Sequence, residues 1–301
     1  MNTVFEKLVW RKDRILLDQW VFRLQEHVDS DWELGNQCFL FFKEKKLVDE
    51  YAKFWTPKSF LARNIVELGI WDGGSIAFWF EYFHPRKHVA IDLLPARDTF
   101  YFREYVKTQQ LEGSVKTYWG TDQADSRKIH EIVKREFKGP LDLVIDDASH
   151  YYKETKASFE ILFPLLRPGG LYVIEDWAWA HWKRHQISNS TFFGLTPLSK
   201  LIFELTEATG SSRDLISSLS IFQGFAVIER GEVDPFRQGE FRIEKWISKP
   251  PTVSIIRKKL AALHVWTIKF RIMIAGIIVK RFGLDLLLEK ILEKKKKKKP
   301  I

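Results

Sequence analysis

Cysteine is nearly absent from this chain: Cys38 is the only one among 301 residues. A single thiol cannot close an intrachain disulfide or build a cysteine metal cluster. The expectation is a reducing, cytoplasmic setting in which Cys38 is a small core filler. Long apolar runs are missing too, and no uncharged stretch reaches the ~20 residues needed to span a bilayer. The first twenty residues interleave Trp10 and Leu16 with Glu6, Lys7, Arg11, Lys12, Asp13 and Arg14, which does not read as a secretory leader. The G-x-G-x-x-G spacing of a dinucleotide fold does not occur, nor does any internal repeat. Lys294–Lys299 is the single low-complexity segment.

The chain also lacks a diffuse basic surface. Its formal charge is +9, but residues 255–301 hold fourteen lysines and arginines against Asp285, Glu289 and Glu293, a surplus of eleven. The rest of the chain therefore carries −2. An enzyme of nucleic acids spreads positive charge over its working face, so charge confined to a tail argues against a nucleic-acid partner.

A hydrophobic content of 45% is enough to fill a globular core. In residues 1–60, Phe5, Leu8, Val9, Leu16, Leu17, Trp20, Val21 and Leu24 recur at three- and four-residue steps, which predicts a helical cap. From Asn64 the pattern changes. Short apolar runs at 64–70, 88–92, 115–119, 141–146 and 171–174 alternate with helical stretches at 75–83, 97–110, 125–137 and 152–166. Strands alternating with helices over short connections predict an α/β domain over 61–250: a doubly wound, mostly parallel sheet of the Rossmann-like kind, built with right-handed crossovers. Residues 177–198, rich in Trp, His and Ser, read as a long active-site loop, followed by a helix at 197–209. A late strand is expected over 221–229, paired with a last one near 241–243. Residues 251–301 read as a basic amphipathic helical extension with a lysine tail.

The residues that carry chemistry lie after the strands. Gly69, Gly73 and Gly74 occupy the first strand-to-helix turn, where glycine lets backbone approach a ligand and the next helix offers free N–H groups. Asp92 ends the second strand, 25 residues after Glu67, where an acid can take the hydroxyls of a ribose. Asp122 follows the third strand, Asp146 and Asp147 end the fourth, and Glu175 and Asp176 end the fifth. Four consecutive strand ends thus carry acids at the edge where open α/β sheets bind their ligands.

These residues resemble the class I methyltransferases, and most closely the macrocin O-methyltransferase group with related sugar O-methyltransferases. The carrying motifs are Val66-Glu67-Leu68-Gly69 through Gly73-Gly74-Ser75, Gly120-Thr121-Asp122-Gln123, Val144 through His150, and Leu162 through Asp176. The resemblance implies S-adenosylmethionine dependence, with Glu67, Gly69, Ser75, Asp92 and Asp122 lining the cofactor site. Gly73 of the glycine turn and Asp146 at the fourth strand end are placed with them. It also implies a divalent metal, usually magnesium, near Asp147, Glu175 and Asp176. A hard cation there would lower the pKa of an acceptor hydroxyl. His150, three residues after Asp147, is placed as general base, with His181 and His185 as rivals. The histidine and acid that relatives carry before the late strand are not matched in Ser220–Phe225, so the loop at 177–185 is a possible source of a further ligand.

The expected activity is O-methylation of a sugar or glycosylated small molecule, with Trp177, Trp179 and Trp182 as a stacking face. A nucleotide-binding or non-catalytic scaffold protein of a glycan assembly pathway is the rival reading on the same fold. Basic and apolar residues alternating through 255–293 would suit an anionic membrane surface and a lipid-linked glycan acceptor.

Overall fold

The structure is a computed structural model, and it describes residues 4–24, 37–41, 43–57, 60–95, 98–212, 214–249, 257, 263–264 and 266–274. They belong to two compact units, Met1–Ser248 and Lys249–Ile301.

The first unit is organised by a seven-stranded sheet. Its central strands are β5 (Asn64–Leu68), β6 (Lys87–Ile91), β7 (Val115–Tyr118), β8 (Leu141–Asp146) and β9 (Leu166–Glu175), all parallel. β11 (Phe225–Arg230) runs antiparallel beside β9, and β10 (Ile216–Ile221) closes that edge. The order across the sheet is β10-β11-β9-β8-β5-β6-β7, which reverses direction between β5 and β8. The helices between the parallel strands are α3 (Gly74–Phe83), α4 (Phe100–Thr108), α5 (Ser126–Glu136) and α6 (Tyr152–Leu162). Side-chain alternation divides the core into two layers. Ile65, Ile145, Val173 and Val227 point into one, and Val66, Val144, Ile174 and Ile228 into the other. Local chemistry starts the helices: the Thr99 hydroxyl accepts from Phe102 N at 3.1 Å and the Asp125 carboxylate from Lys128 N at 3.0 Å.

The N-terminal segment corrects the expectation of a helical cap. Apart from the single turn α1 (Val4–Lys7), its first half is a small sheet: β1 (Val9–Trp10), β2 (Arg14–Leu17), β3 (Trp20–Leu24) and β4 (Phe39–Phe41), in that order. Ile15 with Leu17 and Trp20 with Phe22 are buried at a spacing of two, the strand period. The adjacent pair Leu16-Leu17 and the nearby Trp20 imitate helical spacing, but alternate burial decides the matter. Among the described residues of this segment, the longer helix is α2 (Lys45–Trp55), where Val48, Tyr51, Phe54 and Trp55 are buried. Tyr51 stacks on Phe225 of β11, rings 4.0 Å apart and 9° from parallel, which docks α2 onto the antiparallel edge of the main sheet.

Two further expectations change. The partner of β11 is β10, upstream in sequence, and residues 243–246 form a short 3-10 turn instead of a last strand. The helix expected over 152–166 ends at Leu162, and β9 begins at Leu166, so Pro168-Gly169-Gly170 lies within the strand rather than after a helix. The late helix α7 (Ser199–Ser211) forms close to its expected place.

Candidate active site

All the acids singled out in the sequence lie at or just beyond the carboxyl ends of the parallel strands, in two groups. The first surrounds the turn from β5 to α3. Gly69 and Gly73 both have φ of 90°, and Trp71 between them has φ of 57°, which holds the turn in a conformation that glycine makes cheap. Asp92 holds this turn. Its Oδ2 accepts from Ile70 N at 2.7 Å and Trp71 N at 3.2 Å, and its Oδ1 accepts from Leu94 N at 2.8 Å.

Glu67 is completely buried, with one oxygen accepting from the Ser75 hydroxyl and the other 2.8 Å from His88 Nε2. It therefore anchors the start of α3 through Ser75. Asp122 is exposed and accepts from Ala124 N at 2.8 Å in a local turn. Asp146 sits apart from this group. It is 2% exposed, and it accepts from Ser158 Oγ at 2.5 Å, Tyr172 OH at 2.9 Å and Gln123 Nε2 at 3.3 Å. Burial pushes its carboxyl up to about 6. Its partners tie it between β8, β9 and α6.

The second group stands at the ends of β8 and β9. Asp147 is bound to the glycine turn through its backbone: its N–H donates to Leu68 O at 2.9 Å, and a Cβ added at Gly69 would lie 2.3 Å from its carbonyl oxygen. His150 Nε2 lies 3.9 Å from Asp147 Oδ1. His150 and Asp176 both occupy the left-handed region, with φ of 57° and 51°, backbone strain of a kind that collects at functional sites. Asp147, His150 and Asp176 each offer a donor atom, and the three atoms lie within 4.8 Å of one another. Two carboxylates and an imidazole at that separation fit one divalent cation.

Glu175 points elsewhere. Its Oε2 accepts from Lys43 Nζ at 2.5 Å and its Oε1 from Tyr51 OH at 2.7 Å. The same ammonium reaches Asp147 Oδ2 at 3.0 Å. Of the three acids expected to hold a metal, Asp147 and Asp176 lie in the group with His150, whereas both oxygens of Glu175 accept from the N-terminal segment.

Burial and crowding set the charges. Burial first, then the Asp147 charge, raises the carboxyls of Glu175 and Asp176 well above the usual range. Burial disfavours the Lys43 ammonium, but Asp147 and Glu175 outweigh it and hold the proton on. Burial lowers His150 against the pull of Asp147, which favours a neutral imidazole able to accept a proton. Sequence reasoning missed Lys43 and Tyr51. They come from 104 and 124 residues away, and nothing local marks them. The only available signal was the excess of acids, which implied an unseen cation.

The 177–198 loop begins with two short 3-10 turns, Trp179–His181 and Lys183–His185. Of its three tryptophans, Trp179 and Trp182 pack 5.9 Å apart and Trp177 is turned to another partner. The Trp177 indole donates to Phe222 O at 2.9 Å, and Arg184 lies 4.8 Å over the Trp182 ring. Trp179 packs 4.8 Å from His150 and stacks on His185 at 5.2 Å. The rival histidines have nitrogen partners of their own, His185 Nε2 with Arg184 Nε at 3.1 Å and His181 Nε2 with Ser199 Oγ at 2.7 Å.

Residues 66–177 match a family model described as a methyltransferase domain. Residues 66–177 are thus similar to a methyltransferase domain, and they lie on the doubly wound sheet. The chain is similar to mycinamicin VI 2''-O-methyltransferase of Micromonospora griseorubida, 30% identical over 208 residues, which cover 62% of this chain and 47% of that protein. It is 37% identical over 126 residues to demethylmacrocin O-methyltransferase of Streptomyces fradiae, covering 40% of this chain and 28% of that one. Among solved structures it is similar to the MycE methyltransferase of the mycinamycin pathway in complex with Mg, SAH and mycinamycin VI, at 26% identity and a TM-score of 0.47 over 64% of this chain and 51% of that one. The chain spans less than half the length of the named relatives it matches.

Proposed function

We propose that the chain is an S-adenosylmethionine-dependent O-methyltransferase acting on a hydroxyl of a sugar or a glycosylated small molecule. The observation that carries this reading is that the glycine turn and the acid cluster form one site, packed backbone to backbone at Gly69 and Asp147. The methylated hydroxyls in the names of the relatives belong to sugars on macrolides and polyketides, which supports the acceptor class. When bound, the cofactor supplies an electrophilic methyl group, and a divalent cation such as magnesium polarises the acceptor oxygen.

The chain's own residues do the rest. The 69–75 turn and Asp92 seat the methionine and ribose parts. Asp147 and Asp176 hold the cation. His150, kept neutral by burial and oriented against Trp179, takes the hydroxyl proton. Incubation with labelled S-adenosylmethionine and a panel of cell-derived glycans tests the reading. Label should enter glycan and require a divalent cation. Label confined to protein or nucleic acid would overturn it, as would heat on titration with NAD and none with S-adenosylhomocysteine.

A second reading concerns residues 255–301, most of which lie outside the described residues. Leu263, Trp266, Phe270 and Ile274 are exposed, and the Trp266 and Phe270 rings stack at 5.4 Å. Among the described residues no helix is long and apolar enough to cross a membrane. Exposed aromatics in a segment with a surplus of eleven positive charges favour peripheral attachment to an anionic leaflet, where a lipid-linked glycan would be within reach. The full chain should float with anionic liposomes and release with salt, whereas a chain ending at Ser254 should not float.

A further inference from the structure

Lys43 is a buried lysine, its side chain 6% exposed, at the centre of the acid cluster. We propose that Lys43, by occupying Glu175 and one oxygen of Asp147, removes Glu175 from the metal shell and leaves Asp147 and Asp176 as the carboxylates a divalent cation meets, with His150 beside them as the base. The inference rests on the methyltransferase reading and goes beyond it by reassigning Glu175 and giving Lys43 a positioning role.

Glu175 has little left to offer a metal. Its side chain is 2% exposed, and its two oxygens face Lys43 and Tyr51, one donor each. Asp147 differs. One oxygen is on Lys43, the other faces His150, and its side chain is 27% exposed.

The reach of the lysine is fixed from both sides. Three residues earlier, Leu40 N donates to the buried Asp72 of the glycine turn at 2.5 Å. Eight residues later, Tyr51 is clamped on Phe225. The ammonium is therefore built into the site rather than swung in from the surface. It acts through Asp147, whose Oδ2 it holds, turning Oδ1 toward the acceptor side.

The test uses the full chain and Mn2+ as the probe, read by electron paramagnetic resonance and calorimetry. S-adenosylhomocysteine is titrated into the same preparations. Glu175→Gln should bind Mn2+ within about twofold of the unmodified protein, whereas Asp176→Asn should bind at least about tenfold more weakly. Lys43→Met, which removes one positive charge some 3 Å from a ligand carboxylate, should bind at least about tenfold more tightly. Equal losses in Glu175→Gln and Asp176→Asn would overturn the proposal. So would unchanged Mn2+ affinity in a folded Lys43→Met, or no Mn2+ binding in any of these proteins. If thermal melting shows that Lys43→Met does not fold, the contrast between Glu175→Gln and Asp176→Asn decides alone. Failure of the unmodified protein to bind S-adenosylhomocysteine, with the Mn2+ ranking intact, would instead sink the methyltransferase reading.

Discussion

The two ends of this site are built on opposite principles. Around the β5–α3 turn, acids are satisfied by the chain's own donors: Asp92 by three backbone amides, Glu67 by Ser75 and His88, and Asp122 by the next turn. At the ends of β8 and β9, carboxylates crowd one another, the carboxyls of Glu175 and Asp176 are pushed up by burial, and Lys43, far away in sequence, pairs with Asp147 and Glu175. The first end is a finished scaffold that waits for a ligand to fit. The second is held in a costly arrangement that a cation or an acceptor would relieve. Enzymes place chemistry at the second kind of site, because only there does binding change the energies of the reacting groups.

Substitutions separate the two ends. The largest effect is expected at the crowded end: His150→Ala should lower turnover by roughly 10²–10⁴-fold, the usual contribution of a general base, with S-adenosylhomocysteine affinity unchanged in calorimetry. A fall in affinity as large as the fall in turnover would merge the two ends into one. Next comes the junction between them. Gly69→Ala must adopt φ of 90° with its Cβ 2.3 Å from the Asp147 carbonyl oxygen, and should cost roughly 3 kcal/mol or more in urea unfolding. Gly120→Ala, at φ of 64° with open space around it, should cost about 1 kcal/mol.

At the scaffold end, Asp92→Ala should weaken S-adenosylhomocysteine binding by roughly 1–3 kcal/mol, because the turn amides lose their acceptor. An effect read across pH and not at one pH belongs to Asp72, a buried acid of the turn pushed up by burial to about 7 from 3.8. A carboxyl whose pKa is raised by folding binds its proton more tightly in the native state. Unfolding then releases that proton, and stability falls as pH rises from near 4 to near 7. Urea melts across that window should lose up to about 1.4 kcal/mol per pH unit from this group, a slope that Asp72→Asn should remove.

The scaffold end was largely legible in sequence and the crowded end only in part. Short apolar runs before glycine or aspartate mark β5 through β9 because a buried parallel strand must be apolar on both faces, and acids after such runs fall on the ligand edge whatever the side chains do later. Pairing across a hundred residues leaves no such trace. Lys43 looks like one more lysine beside Lys45 and Lys46, and Tyr51 like one more core aromatic. The N-terminal sheet was missed because Leu16, Leu17 and Trp20 satisfy a helical period by chance, and only alternate burial of Ile15, Leu17, Trp20 and Phe22 reveals strands. Glu175 and Asp176 are neighbours in sequence, but the end of β9 turns them to different partners.

Lys43 and Tyr51 lie outside residues 66–177, the stretch that matches the methyltransferase domain. The portable unit of this protein is accordingly larger than its recognisable one. A graft or truncation cut at the matching boundaries would carry the glycine turn and every acid of the site, but leave behind the ammonium and the phenol that hold Glu175. Anyone shortening, fusing or recombining such proteins should count residues 39–55 as part of the transplant.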